Sequence, residues 1–154
     1  MSSSALFSLF RLRDLELANR IVVAPMGQYS AEHGSATDWH LMHLGQFAVN
    51  GAGLLITEAT AVSPEARITP GCLGLYSDDN EAALSRVVAF CKQHSPMALG
   101  VQLSHSGRKG STYAPSAGRN AALTEEDGAW ETLSSAGIPR ADGWPEPRIA
   151  TESD

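Results

Sequence analysis

Cysteine is scarce in this chain. Only Cys72 and Cys91 occur, isolated from each other and without the paired spacing of a metal site. That argues against a disulfide framework and for reduced thiols in a cytoplasmic setting. Long apolar runs are also missing, so no stretch reads as a membrane span. No basic run exceeds Arg108-Lys109 and the formal net charge is −6, which speaks against a nucleic-acid partner. Met1-Ser2-Ser3-Ser4 offers neither a charged nor an apolar leader segment, so a secretory signal is not expected. What is present is ordinary for a globular protein: 154 residues, 43% apolar and 18% charged, enough for one domain with a core.

The most informative stretch is Ile21-Val22-Val23-Ala24-Pro25-Met26-Gly27-Gln28-Tyr29. Its β-branched start predicts a short, fully buried strand. Pro25 ends the ladder, because it has no N–H and a fixed φ. Gly27 lets the backbone pass close to something flat, and Tyr29 adds a ring and a hydroxyl beyond the strand end. Such a strand end suits the floor of a ligand site, and equally a buried strand followed by a turn.

Around it the chain alternates. Phe10-Arg11-Leu12 and Leu15-Glu16-Leu17 predict a hairpin about Arg13-Asp14. Thr37 is positioned to cap a helix over 38–50, with Leu41, Leu44, Phe47 and Ala48 on one face. Gly51 suits a left-handed close to that helix. Residues 53–59 form a continuous apolar run, the pattern of a parallel strand covered on both faces. Asp78 with Glu81 predicts a capping box for a second helix running to about Gln93, burying Leu84, Val87, Val88 and Cys91. Met97 to Leu103 is a third strand. The series is α/β with a parallel sheet and right-handed crossovers. From 106 to 150 the periodicity stops, predicting a lid with Trp130 and Trp144 as packing anchors. Thr151 to Asp154 resembles a helix start.

Three residue groups carry sharper readings. His40 and His43 stand three apart on the first helix, as two metal ligands can, yet no third ligand is evident and a structural role is expected. Ser104-His105-Ser106 contains a nucleophile and a base, but neighbours on a strand face opposite ways. His105 and Arg108 are expected to shape a site mouth instead. Gln102, in a predicted buried strand, needs hydrogen-bond partners.

The strand ends carry a family resemblance. Ala24-Pro25-Met26-Gly27-Gln28-Tyr29, Asp38-Trp39-His40 with His43, Glu58-Ala59-Thr60-Ala61-Val62, Ala66-Arg67-Ile68-Thr69 and Gly100 to Lys109 resemble the old yellow enzyme family of flavin-dependent ene-reductases. The bacterial xenobiotic-reductase-like branch is the nearest. The resemblance implies a (β/α)8 TIM barrel that binds FMN at the C-terminal strand ends and reduces activated alkenes with NADPH. Residues 1–154 would be a partial FMN-binding barrel, with its first three strands, two helices, the hairpin and the lid at 106–150; a whole barrel takes about 250 residues. It implies FMN contacts from Ala24, Pro25, Met26, Gly27, Ala59 and Gln102, and a substrate contact from Tyr29. No catalytic residue is assigned within the chain, and the branch's usual cysteine is Gly27 here. The expected partners are a small enone and either the C-terminal remainder of the barrel or a second copy. The alternative is a truncated, flavin-free partial barrel that serves as an interaction module or has no activity.

Overall fold

The computed structural model describes residues 4–154. β1 (Phe10–Leu12) and β2 (Leu15–Leu17) pair antiparallel, and Arg13 takes the left-handed conformation, φ 53°, that their two-residue connection demands. β3 (Val22–Val23), β4 (Leu54–Ala61) and β5 (Ala98–Ser104) make one sheet in that order, all parallel. α1 (Asp38–Val49) and α2 (Asp78–His94) are the crossovers. This is the α/β architecture of an opening portion of a TIM barrel, left as an open sheet.

Both helix starts have local causes. Thr37 is extended, as a capping residue should be, and its N–H donates to Nδ1 of His40 at 3.0 Å. Gly51 follows α1 with φ +81°. α2 begins one residue earlier than the sequence pattern suggested: Ser77, not Asp78, is the cap, accepting from the Asn80 N–H at 3.2 Å. A serine oxygen reaches that N–H directly. Asp78, Asp79 and Glu81 then occupy the first turn, where carboxylates suit the helix dipole.

The core lies between the sheet and the two helices. Val23, Leu55 and Leu99 form a row across the sheet, in register as Val23 with Leu55 and Leu55 with Leu99. They meet Leu44 and Ala48 of α1 and Leu84, Val87 and Cys91 of α2. Burial pushes the Cys91 thiol above its ordinary pKa, leaving it an unreactive core group. The opposite face of the sheet is open, so the expectation of a fully buried first strand is corrected: Val22 is 49% exposed. One face packs on helices while nothing among the described residues covers the other.

β4 breaks its own alternation. Between Ile56 and Ala59 its register on β5 shifts by one residue: Ile56 pairs with Gly100, but Ala59 pairs with Gln102. A bulge of this kind inverts the facing of everything beyond it. Thr57 and Glu58 are both buried as a result, at 4% each, and Ala59 lands on the open face beside Gln102.

Beyond β5 the lid is tied back by specific bonds. The Trp130 indole N–H donates to the Glu65 carbonyl at 3.0 Å, and Arg67 lies over its ring at 5.3 Å. The Thr112 N–H donates to the Ile68 carbonyl at 3.0 Å. β6 (Leu133–Ser134) and β7 (Arg148–Ile149) pair parallel within the lid. Residues 151–154 form a turn, closed by the Asp154 carboxylate on the Thr151 N–H at 2.8 Å. Arg148 beside Asp154 holds that carboxyl well below its usual range. No described helix is long and apolar enough to cross a membrane.

The start of β4 is a place where only glycine fits. A Cβ on Gly53 would overlap the Asn19 carbonyl oxygen, which belongs to the backbone and cannot swing aside. Gly53→Ala should lower unfolding free energy by about 1–3 kcal/mol, read from urea denaturation; an unchanged midpoint would contradict this packing.

Candidate active site at the strand tips

Three parallel strands must end on one side of the sheet, and these do. Ala59 and Gln102 are direct register partners. The chain leaving β3 runs through Ala24, Pro25, Met26 and Gly27 to Gln28, whose N–H donates to Oε2 of Glu58, at the bulge in the second half of β4, at 3.1 Å. The structure therefore brings the tips of all three strands together. Ala24, Met26, Gly27 and Gln102 are exposed there, while Pro25 and Ala59 are half-buried. The expected burial of Gln102 is corrected, because β5 is an edge strand whose inner face is open. Its side-chain amide makes no hydrogen bond among the described residues, and the N–H groups of Met26 and Gly27 are likewise unengaged. The tips thus offer backbone donors and one amide that both donates and accepts.

The first tip is held from three directions. Gln28 donates through its side-chain amide to the Met26 carbonyl at 2.8 Å and accepts from the Trp39 indole at 2.9 Å. Its backbone N–H goes to Glu58. Glu58 in turn faces His40 of α1, with Oε1 and Nε2 3.2 Å apart and side chains 3% and 1% exposed. Those two atoms are misaligned for a straight hydrogen bond and have no other partner among the described residues. Since His40 Nδ1 accepts from Thr37, its proton lies on Nε2, toward the carboxylate.

Tyr29 adopts φ 54°, unusual for an aromatic residue. Its ring leans on Gly27: a Cβ at Gly27 would sit 3.2 Å from the ring carbon bearing the hydroxyl. A Cβ on Gly71 would overlap the Tyr29 carbonyl, so Gly71 leaves room for that strained backbone. The Tyr29 hydroxyl makes no hydrogen bond among the described residues.

Other sequence candidates find different employment. His40 is taken up by Thr37 and Glu58, and the His43 ring meets Phe47 edge-on at 5.3 Å. Burial holds His43 below its ordinary pKa of 6.5, against the pull of Glu58. His105 Nδ1 accepts from the Gly107 N–H at 3.0 Å, and the Ser106 hydroxyl donates to the Arg67 carbonyl at 3.0 Å. Arg108 reaches the Ile138 carbonyl at 3.5 Å, at the lid side of the tips. The residue that sequence reasoning passed over is Glu58. A carboxylate inside the run Leu54-Leu55-Ile56-Thr57-Glu58-Ala59 was itself a signal, because buried charge requires partners.

Comparison with known proteins bears on the family and the fold. Residues 5–136 match the family described as NADH:flavin oxidoreductase / NADH oxidase. A NADH:flavin oxidoreductase of Gibberella zeae is 40% identical over 155 residues, covering 99% of this chain and 37% of that protein. A NADPH dehydrogenase of Listeria monocytogenes is 47% identical over 120 residues, covering 74% of this chain and 35% of the relative. Among solved structures, morphinone reductase superposes with a TM-score of 0.78 at 23% identity, over 99% of this chain and 41% of its own. The chain spans little more than a third of the length of these curated relatives.

Removing one member of the buried pair strands the other. Glu58→Ala, which leaves the neutral His40 ring and the Gln28 N–H without an acceptor, should cost about 1–3 kcal/mol of stability and speed amide exchange at Gln28; wild-type exchange at Gln28 in the variant would refute the clamp. His43 gives a pH signature. Its folded pKa is lowered, so the unfolded chain binds the proton more readily. Stability is then full above about 6.5 and falls as pH drops through that value. Stability curves at pH 7.5 and 5.5 should differ less in His43→Gln than in the parent; equal slopes would exclude this assignment.

Proposed function

The chain belongs to the NADH:flavin oxidoreductase / NADH oxidase family, and from that premise we propose that it is the cofactor-facing first portion of an FMN-dependent ene-reductase. Its substrates are α,β-unsaturated carbonyl compounds, and NADPH is the reductant. The observation that carries this reading is the convergence of Met26, Ala59 and Gln102 at one end of a parallel sheet. In an α/β fold of this kind the C-terminal strand ends are where ligands bind.

The residues present suit FMN. A flavin pyrimidine edge carries carbonyl oxygens and an N–H, which match the free Gln102 amide and the unengaged N–H groups of Met26 and Gly27. Ala24, Pro25, Met26 and Gly27 would lie along the isoalloxazine, with no side chain at Gly27 to hold it off. Ala59, small and brought to the inner face by the bulge, would sit near the pyrimidine edge beside Gln102. Tyr29 would border the substrate. When bound, FMN supplies the hydride chemistry, which is the cofactor's own. The chain's part is to position: Glu58 and Gln28 fix the first tip, and the lid, anchored by Trp130, limits water on that side.

The open sheet also bears on partners. Val101 and Leu103 on the edge strand β5 are 44% and 59% exposed, and an unpaired strand edge invites another chain. These exposures support a further polypeptide docking there, either the remainder of a barrel or a second copy. They equally fit a flavin-free interaction module, and the two readings separate on flavin.

The chain alone should bind FMN weakly and turn over little, since neither a substrate-anchoring pair nor a phosphate-binding glycine loop is evident in its sequence. Mixed with a polypeptide supplying the remaining strands, it should turn yellow and reduce cyclohexenone with NADPH. Gln102→Ala should weaken FMN binding about tenfold in the complemented protein. A mixture that stays colourless with added FMN would overturn the ene-reductase reading.

A further inference from the structure

A cavity of about 480 Å³ lies beside the strand tips, between Tyr29, the turn at Ile68 and Thr69, and the lid segment from Thr112 to Asn120. Arg119 and Arg140 both line it and no acidic residue does, in a chain whose net charge is −6. Most of its neutral polar groups are committed elsewhere. The Thr112 hydroxyl donates to the Ile68 carbonyl at 3.2 Å, the Thr69 hydroxyl contacts Cys72 Sγ at 3.4 Å, and Tyr113 donates to Asp127.

The charged groups that line it are both cations, one unpaired and one weakly paired. Arg140 has no carboxylate within ion-pair distance among the described residues; it lies over the Trp144 ring at 4.6 Å, which orients a guanidinium without neutralising it. Arg119 stacks on Tyr113 at 3.4 Å and only grazes Asp127 at 3.7 Å, both side chains being about half exposed. Tyr113 and Thr124 both donate to Oδ2 of that carboxylate, the oxygen Arg119 faces, and hold its pKa below the ordinary value with a smaller pull from Arg119. The Asn120 amide and the Tyr29 hydroxyl are free. Arg140, the amide and the phenol face this space without an acceptor, and Arg119 beside them holds only a long, half-exposed ion pair that a closer anion would replace. Guanidinium forks match carboxylate and phosphate oxygens geometrically.

We propose that this cavity is an anion subsite, in which Arg140 and Arg119 hold the carboxylate or phosphate of a small molecule whose reactive part reaches the strand tips past Tyr29. It selects charged ligands over neutral ones of the same shape. The subsite rests on the proposed function for the identity of that reactive part. Two sources share the chemistry: a carboxylate on an unsaturated substrate, or the phosphates of the reduced nicotinamide donor.

The test uses the purified 154-residue chain without flavin, so its outcome is separable from flavin binding. Cinnamate, its neutral analogue cinnamamide, and NADPH are titrated by calorimetry against the parent, Arg140→Gln, Arg119→Gln and the surface control Arg86→Gln, with circular dichroism confirming the fold of each. Loss of about tenfold in cinnamate affinity in the two cavity variants, with cinnamamide weak throughout, supports the subsite and assigns it to a substrate carboxylate. The same loss for NADPH alone supports it and assigns it to the donor. Failure of both anions to bind the parent, equal binding of cinnamate and cinnamamide, or equal losses in Arg86→Gln overturns it. A chain that binds cinnamate through Arg140 yet takes up no FMN when complemented would remove the flavin reading and leave the subsite.

Discussion

A single buried carboxylate ties the working end of this molecule together. Glu58 leaves β4 at its bulge, meets His40 of α1 on one oxygen and receives the Gln28 N–H on the other. One side chain thus joins the second strand, the first crossover helix and the tip of the first strand. Neither contact would hold alone: desolvating a carboxylate is costly, and here its compensation comes from two elements far apart in sequence. The relation runs outward as well. His40 can face Glu58 with its N–H only because Thr37 occupies the other ring nitrogen, so the helix cap sets the tautomer that the carboxylate needs. Capping, burial and the placement of a candidate ligand surface are one network.

The bulge gives that network its direction. Regular alternation would set Glu58 on the open face with Leu54 and Ile56, and Ala59 on the helix side with Leu55. One extra residue exchanges them. The charge turns inward toward α1, and the small side chain comes out opposite Gln102. A flat ligand lying across the tips then meets alanine and amide in place of an unscreened carboxylate. The irregularity is a condition of the site, in keeping with bulges found where a strand must re-aim its side chains.

Much of the fold was legible in the sequence because it is written in local terms. The hairpin follows from alternation about a two-residue turn. The first helix follows from a capping threonine, a spaced apolar stripe and a closing glycine, and the strand–helix order gives the parallel sheet. The second cap falls at Ser77 and not at Asp78 because the serine oxygen reaches the Asn80 N–H directly, which leaves the carboxylates to the first turn. The open face was illegible for another reason. Val22 and Gln102 are apolar-run residues whose burial depends on what else packs against the sheet, and a strand's own sequence does not reveal that. The bulge was invisible as well, since an apolar run without alternation hides a change of parity. Arg119 and Arg140 lie in a segment without any period, and only the lid's path back to the turn at Ile68 brings them to one cavity.

The contact between Gly27 and Tyr29 bears on how this site can change over generations or in a directed library. A Cβ at position 27 would come within 3.2 Å of the ring at position 29, so the two positions are not independent letters. Enlarging the first while keeping the tyrosine forces the ring to move, and with it one wall of the cavity at Thr69 and Arg140. Trajectories that vary the pair jointly accommodate this contact, whereas single steps meet the coupling expected between touching neighbours. The absence of a side chain at one residue thus governs which variants of another are reachable.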